Sequence, residues 1–259
     1  MRVGNIQPPL GTPVIRSHPL SRGLVGYWPM NEGGGQLCLD NYLNNNGALT
    51  NGAVYAKSVK FGCISFDGTN DFVGTIGQLS TYSFIQNTRV FSISVWVQLI
   101  NTTARGVLVA NISTISQKGF YFLFETAGAG FGSKALRLQL SDANGLSNNI
   151  LNVQSSDNSI TDTNWHHLVV TGNGTGTTIF FYVDGVAKAS TYNSNLASLS
   201  TGDSTLQLQF AAPPGVGFGP LGGKLNNIMI YNRPLLPNEV RQLYTNQYQM
   251  FQGYKGLKK

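Results

Sequence analysis

The chain has 259 residues, with 17 Lys+Arg against 11 Asp+Glu, a formal net charge of +6 and only 11% charged residues. Ordinary soluble domains carry about 25% charged residues, so neutral Asn, Ser, Thr and Gln must keep this chain in solution. An apolar content of 41% with 11% aromatics excludes a disordered polyelectrolyte, and the length suits one large all-β domain. The charge is unevenly placed. Arg2, Arg16 and Arg22 stand in residues 1–22 and Lys255, Lys258 and Lys259 in residues 244–259, with no acidic residue in either end. The span 23–243 balances eleven basic against eleven acidic residues. Excess charge confined to the ends argues against a nucleic-acid groove, which gathers its cations on one folded face.

From the N-terminus, Pro8, Pro9, Pro13 and Pro19 preclude a helix and favour an extended arm over residues 1–22. That start has no apolar core of a signal peptide, and no later stretch approaches the ~20 apolar residues of a membrane span. Synthesis in the cytoplasm without membrane association is expected. From Gly23 onward, short apolar runs are punctuated by Gly, Asn and Ser. Strands are expected at Leu24 to Pro29, Ser58 to Phe66, Phe91 to Leu99, Gly106 to Ile112, Gly119 to Glu125, Ala135 to Leu140, His166 to Thr171, Thr177 to Val183, Thr205 to Phe210 and Leu225 to Tyr231. In the run from Phe91, the residues Phe91, Ile93, Val95, Val97 and Leu99 alternate with Ser92, Ser94, Trp96 and Gln98, the pattern of a half-buried strand.

Gly172 to Gly176 and Asp184-Gly185 supply residues tolerant of positive φ and read as hairpin turns. One helix is expected over Leu236 to Tyr244, with Pro237 in its first turn; if it continues, Tyr244, Tyr248 and Phe251 share a stripe. Ten strands, turn signals and a single short C-terminal helix give an all-β fold: an antiparallel two-sheet β-sandwich of jelly-roll type. Cys38 and Cys63 are too few for a disulfide framework or a zinc site and are expected to be buried free thiols.

Six segments, in order, resemble the laminin G-like group of the concanavalin A-like lectin/glucanase superfamily. They are Gly23-Leu24-Val25-Gly26-Tyr27-Trp28-Pro29, Ser65-Phe66-Asp67-Gly68-Thr69-Asn70-Asp71-Phe72, Phe91-Ser92-Ile93-Ser94-Val95-Trp96-Val97, Trp165-His166-His167-Leu168-Val169-Val170, Phe181-Tyr182-Val183-Asp184-Gly185 and Gly223-Lys224-Leu225-Asn226-Asn227-Ile228-Met229-Ile230-Tyr231-Asn232-Arg233-Pro234-Leu235. The resemblance covers residues 23–244 and implies two antiparallel sheets packed face to face, with a terminal helix after the last strand. With the proline-rich arm at 1–22, this gives the jelly-roll domain at 23–244 and leaves an aromatic-basic tail at 245–259.

Function has to come from residues, because this fold hosts many activities. Glycosidases of the superfamily place carboxylates two residues apart on one strand. Glu32, Glu125 and Glu239 have no acidic neighbour at that spacing, so no catalytic residues and no enzyme are expected. His166 and His167 point to opposite faces of one strand and read as framework positions. Asp67, Asn70 and Asp71 are the candidate Ca²⁺ ligands, against the alternative of a tight turn; the expectation is no cofactor, with Ca²⁺ at this loop as the alternative. Trp28, Trp96 and Trp165 are expected in the core.

The arm and tail are expected to order only against a partner. The candidate docking residues are Arg2, Arg16, Arg22, Tyr248, Phe251, Tyr254, Lys255, Lys258 and Lys259. The opening Arg22-Gly23-Leu24-Val25-Gly26-Tyr27-Trp28 is similar to virion proteins of tailed bacteriophages. That resemblance implies a non-enzymatic capsid decoration or head-fibre component on the virion surface. Its partners would be the major capsid or other virion proteins, and it would sit as a homo-oligomer within the assembly. A carbohydrate-binding adhesin contacting host glycans is the alternative. Removing residues 1–22 is expected to leave the sandwich folded.

Overall fold

The computed structural model describes residues 7–59, 61–112, 118–126, 132–142, 150–174, 178–194, 202–214 and 219–251. Its strands are β1 (Leu24–Trp28), β2 (Leu37–Cys38), β3 (Gly47–Thr50), β4 (Val54–Lys57), β5 (Gly62–Asp67), β6 (Phe72–Thr75), β7 (Val90–Leu99), β8 (Gly106–Ala110) and β9 (Lys118–Glu125). They continue with β10 (Ala135–Asp142), β11 (Ile150–Ser155), β12 (Trp165–Asn173), β13 (Ile179–Val183), β14 (Val186–Lys188), β15 (Ser190–Ser194), β16 (Gln209–Phe210) and β17 (Gly222–Tyr231). Two short α-helices, α1 (Phe84–Thr88) and α2 (Pro237–Thr245), and two 3₁₀ turns at Pro19–Ser21 and Leu79–Tyr82 complete the described regular structure. All ten expected strand segments contain strands. The expected run from Ser58 starts late, because Ser58 closes a turn by accepting the Phe61 amide, and the run from Thr205 is paired only at its end.

The first sheet has the order β14-β13-β12-β7-β17-β5-β4. The free side of β17 is shared: its first half pairs with β5 and its second half with β1, across an irregularity in its pairing with β7 between Asn226 and Met229. The second sheet runs β15-β11-β10-β9-β8-β16-β6-β3-β2, and every pairing in both sheets is antiparallel. The main core lies between them. Phe91, Ile93, Val95, Val97 and Leu99 of β7 and Leu168 and Val170 of β12 meet Phe120, Phe122, Phe124, Leu136, Leu138 and Leu140 from the second sheet. The turn at Asp184-Gly185 is the two-residue hairpin joining β13 and β14, both residues having positive φ, which matches the right-handed twist of the strands.

The outer face of the first sheet is not open to water. Tyr27, Met229, Tyr231, Val169 and Tyr182 form a second apolar cluster there with Val240 and Leu243 of α2, Tyr248, Met250 and Phe251 of the tail, and Val14 and Leu20 of the arm. Ser92 and Ser94 of β7 are therefore buried on this face as well, while Trp96 and Gln98 stay half-buried, so the expected half-buried pattern holds only toward the end of the strand. Ser92 is satisfied there: its hydroxyl donates to the Arg233 carbonyl (2.9 Å) and accepts from the Leu235 amide (2.8 Å).

The ends join each other within this layer. Val14 bridges to Phe251, and the Ile15 amide donates to the Met250 carbonyl at 2.6 Å. Gln7 spans Gly62 in both directions, accepting its amide at 2.6 Å and donating toward its carbonyl. Arg233 clamps arm to helix, with Nε on the Arg22 carbonyl (2.6 Å) and its two terminal nitrogens on the Glu239 carboxylate (2.7 Å each). Glu239 also accepts the Leu236 amide at the helix start. Helix α2 stops at Thr245, short of the expected continuation; Tyr248 and Phe251 reach the same apolar layer through turns.

Residues 7–22 and 245–251 therefore order against the chain's own sheet, which corrects the expectation that the ends require a partner. Because Val14 and Leu20 are core residues, a chain lacking residues 1–22 is expected to lose stability. Leu20→Ala and Phe251→Ala should each cost about 3 kcal/mol, read as a lowered urea midpoint with an unchanged slope.

Candidate functional site

The residues singled out from the sequence go to separate places. Trp28 is in the main core, edge-on to Phe210 at 4.8 Å, with its indole N–H donated to the Asn45 carbonyl. Trp96 and Trp165 are not in that core. They lie half-buried on the outer face of the first sheet against Phe61, and Trp96 also stacks on Tyr244 of α2 at 5.8 Å. Cys38 and Cys63 are buried free thiols, as expected. His18 caps the short turn Pro19–Ser21 by accepting the Leu20 amide through Nδ1.

Asp71 is buried, and its two carboxylate oxygens accept the amides of Gly52 (2.6 Å) and Asp67 (2.9 Å). Asp67 accepts the Thr69 amide at 2.7 Å, and the Asn70 carbonyl takes the Asn51 side chain. This is the tight-turn alternative, its oxygens spent on backbone N–H groups. Among the described residues no three His, Cys, Asp or Glu side chains gather as a metal site.

The two histidines do face opposite ways. His166 sits between Asp184 (2.8 Å) and Asp162 (3.1 Å); the hydrogen bond to Asp184 raises its pKa. His167 is buried beside Trp96 and Tyr244, bonded through Nε2 to the Ser94 hydroxyl at 2.8 Å, and burial pushes its pKa down to about 3.

Of the candidate docking residues, Arg16 lies over the Tyr42 ring (4.4 Å to its centre) and donates to the Tyr42 carbonyl at 2.7 Å. Arg22 is exposed. Tyr248 and Phe251 are buried inside the chain's own second cluster, with Tyr248 donating to Asn226 Oδ1. They hold the tail down and are not free for a partner. Arg2, Tyr254, Lys255, Lys258 and Lys259 lie outside the described residues.

One constellation went unread in the sequence. On the outer face of the second sheet, β9 and β10 place Tyr121, Glu125, Arg137 and Gln139 side by side, with Asn152 and Gln154 of β11 beyond. Arg137 donates to Glu125 (3.0 Å), Asn152 (2.8 Å) and Gln139 (3.2 Å), while Arg105 takes the other Glu125 oxygen at 2.7 Å. Tyr121 donates to Gln139, and Asn193 of β15 donates to Gln154 at 2.9 Å. The signal was the alternation of Arg137 and Gln139 with Leu136, Leu138 and Leu140. It showed two strand faces, but only the pairing of β10 with β9 and β11 shows that the polar ones meet. This array is a rigid set of amide, phenol and guanidinium groups on the face opposite the chain ends. Tyr121, Glu125, Arg137, Gln139, Asn152 and Gln154 are all buried, so the array braces the strands of the second sheet against one another. Glu125 is engaged on both oxygens, and Glu32 and Glu239 lie elsewhere, bonded to the Leu39 amide and to Arg233.

A laminin G-like profile, described as the concanavalin A-like lectin/glucanases superfamily, matches residues 67–241. The chain belongs to this superfamily. No curated protein sequence matches it significantly. Among solved structures, it is similar to domain 4 of AbnA, an extracellular arabinanase of Geobacillus stearothermophilus solved with arabinotriose, at 15% identity and a TM-score of 0.61, covering 85% of this chain and 98% of that one. The binding domain of Paraclostridial Mosquitocidal Protein 1 superposes with a TM-score of 0.64 at 18% identity, over 89% of this chain and 53% of that one. Trypanosoma rangeli sialidase does so with a TM-score of 0.61 at 19% identity, over 95% and 38%. The chain thus spans about half of the toxin domain and just over a third of the sialidase, and at these identities the likeness concerns the fold.

Two predictions follow from the site. Arg137→Ala should cost about 3 kcal/mol, because Glu125 stays buried with Arg105 as its remaining cation among the described residues and the Thr126 amide on the same oxygen; adding Glu125→Gln should recover part of the loss, measured as non-additivity in urea unfolding. The histidines should give stability opposite pH slopes. Below the unfolded value of about 6.5, unfolded His167 binds a proton that native His167 does not, so stability falls as pH drops from there toward 3. The His166 contribution is fully present below about 6.5 and is lost as pH rises through its raised native value. His167→Gln should flatten the acid side of the stability curve, and His166→Gln the side above neutrality.

Proposed function

We propose that this chain is a non-enzymatic surface module of a bacteriophage virion, a capsid decoration or head-fibre component. It is attached through its two ends and displays the body of the sandwich. The observation that carries this reading is the joining of arm and tail. Val14 and Phe251 bridge on the outer layer of the first sheet and the Ile15 amide donates to the Met250 carbonyl, so the described arm and tail meet on one side of the molecule. Major capsid or other virion proteins are the partners, and several copies share the assembly. The weakly charged body and the engagement of Glu125 by two arginines support display without catalysis.

The alternative is a glycan-binding adhesin or receptor-binding domain. The likeness to a domain solved with arabinotriose and to a toxin binding domain supports this reading. The two readings are compatible if the module both decorates and recognises.

A chain reduced to residues 7–251 separates attachment from folding. It is expected to keep the thermal midpoint of the full chain and to be absent from purified particles of the parent virus. Full incorporation of that shortened chain would overturn attachment through the termini.

A further inference from the structure

The layer that covers the first sheet stops short of one row. Trp165 of β12, Gln98 of β7, Lys224 of β17 and Ser65 of β5 are successive cross-strand partners on the outer face. A cavity of about 390 Å³ opens over this row, lined by Ser65, Gln98 and Lys224 together with Thr163 and Ile100. Close approach of the strands behind it depends on Gly223, where a Cβ would stand 2.3 Å from the Gln98 carbonyl and φ is +153°.

The chemistry of the lining is specific. Lys224 enters none of the ion pairs among the described residues. Gln98 spends its amide nitrogen on the Thr163 carbonyl at 3.2 Å, which orients the side chain and leaves its oxygen to accept. Ser65 adds a half-buried hydroxyl. Ile100, 65% exposed, gives an apolar wall, and the indole of Trp165 continues the row, packed edge-to-face on Phe61 at 4.8 Å. Asp162 and Asp67 stand nearby, but Asp162 is engaged by His166 and the Asn164 amide, and Asp67 by the Thr69 amide.

One ammonium, one oriented amide oxygen, one hydroxyl and adjacent apolar surface match a sugar ring that carries a carboxylate. The carboxylate pairs with Lys224, ring hydroxyls bond Gln98 and Ser65, and the C–H face lies along the apolar wall. A bidentate phosphate site adds a guanidinium fork or a nest of backbone amides to its lysine, and the lining side chains here include no arginine. We propose that this pocket binds a carboxylated saccharide, a uronic or sialic acid unit of a surface glycan. This rests on the module's being displayed for recognition.

The test is titration calorimetry of the full chain with tetragalacturonate and with sialyllactose, each against a neutral counterpart, the carboxyl-reduced tetramer and lactose. At least one acidic glycan is expected to bind. Its neutral counterpart and the Lys224→Gln variant should each weaken binding tenfold or more, with the thermal midpoint of the variant unchanged. Lys224→Arg should retain binding in part. Polyglutamate of similar length is expected not to compete. Absence of binding to both acidic glycans, equal binding by Lys224→Gln, equal binding of the neutral counterpart, or competition by polyglutamate would each overturn the proposal. None of these outcomes touches particle attachment, which the 7–251 chain tests separately.

Discussion

The first sheet carries a large apolar patch on its outer face as well as its inner one, and that constraint organises the molecule. A sandwich buries one face of each sheet against the other and leaves the outer faces to water. Here Tyr27, Val169, Tyr182, Met229 and Tyr231 would be left exposed on the outside, a contiguous patch of a kind that soluble monomers rarely tolerate. The chain supplies the cover itself, with α2, the tail through Phe251 and the arm from Val14 to Leu20 laid across it. Every one of those segments is irregular or short and would be unstable alone. Each is stable because the sheet beneath is already built.

Polar nodes hold this cover in register. Arg233 meets the arm through the Arg22 carbonyl and the helix through Glu239, so one guanidinium joins the two ends of the chain to the last strand. At the other side of β1, Asp40 is buried and accepts four amides, those of Tyr27, Tyr42, Leu43 and Asn45, which folds the loop after β2 against the sheet. His167 lies beneath α2, its Nδ1 without a partner among the described residues, and Asp184 ties its backbone to the β13–β14 turn. These are directional contacts inside an otherwise apolar layer. They specify one arrangement of the ends where hydrophobic burial alone would accept several.

Much of the architecture was legible because local rules and global packing agree. The alternation in Phe91 to Leu99, the turn residues Asp184-Gly185 and the proline at the start of α2 each act within a few residues, and each appears where expected. The misses share one cause. Ser92 and Ser94 read as solvent-facing, Trp96 and Trp165 as core, and Tyr248 and Phe251 as partner contacts, because nothing local reports that a distant segment covers the outer face. The same holds for Arg137 and Glu125. They are 12 residues apart in the chain and meet only through strand pairing.

The sequence by itself determined an all-β sandwich with a C-terminal helix, a neutral body with basic ends, and the absence of closely spaced carboxylate pairs. Those properties depend on residue type and short-range spacing. Only the tertiary structure decided that the arm and tail fold onto their own sheet, that Asp67 and Asp71 spend their oxygens on a turn, and that Lys224 stands beside Gln98 and Ser65 in an open row. Each of these depends on which strands become neighbours. In an antiparallel sheet that choice is made by packing across tens to hundreds of residues, where period-two alternation assigns a side chain to a face but not to a partner.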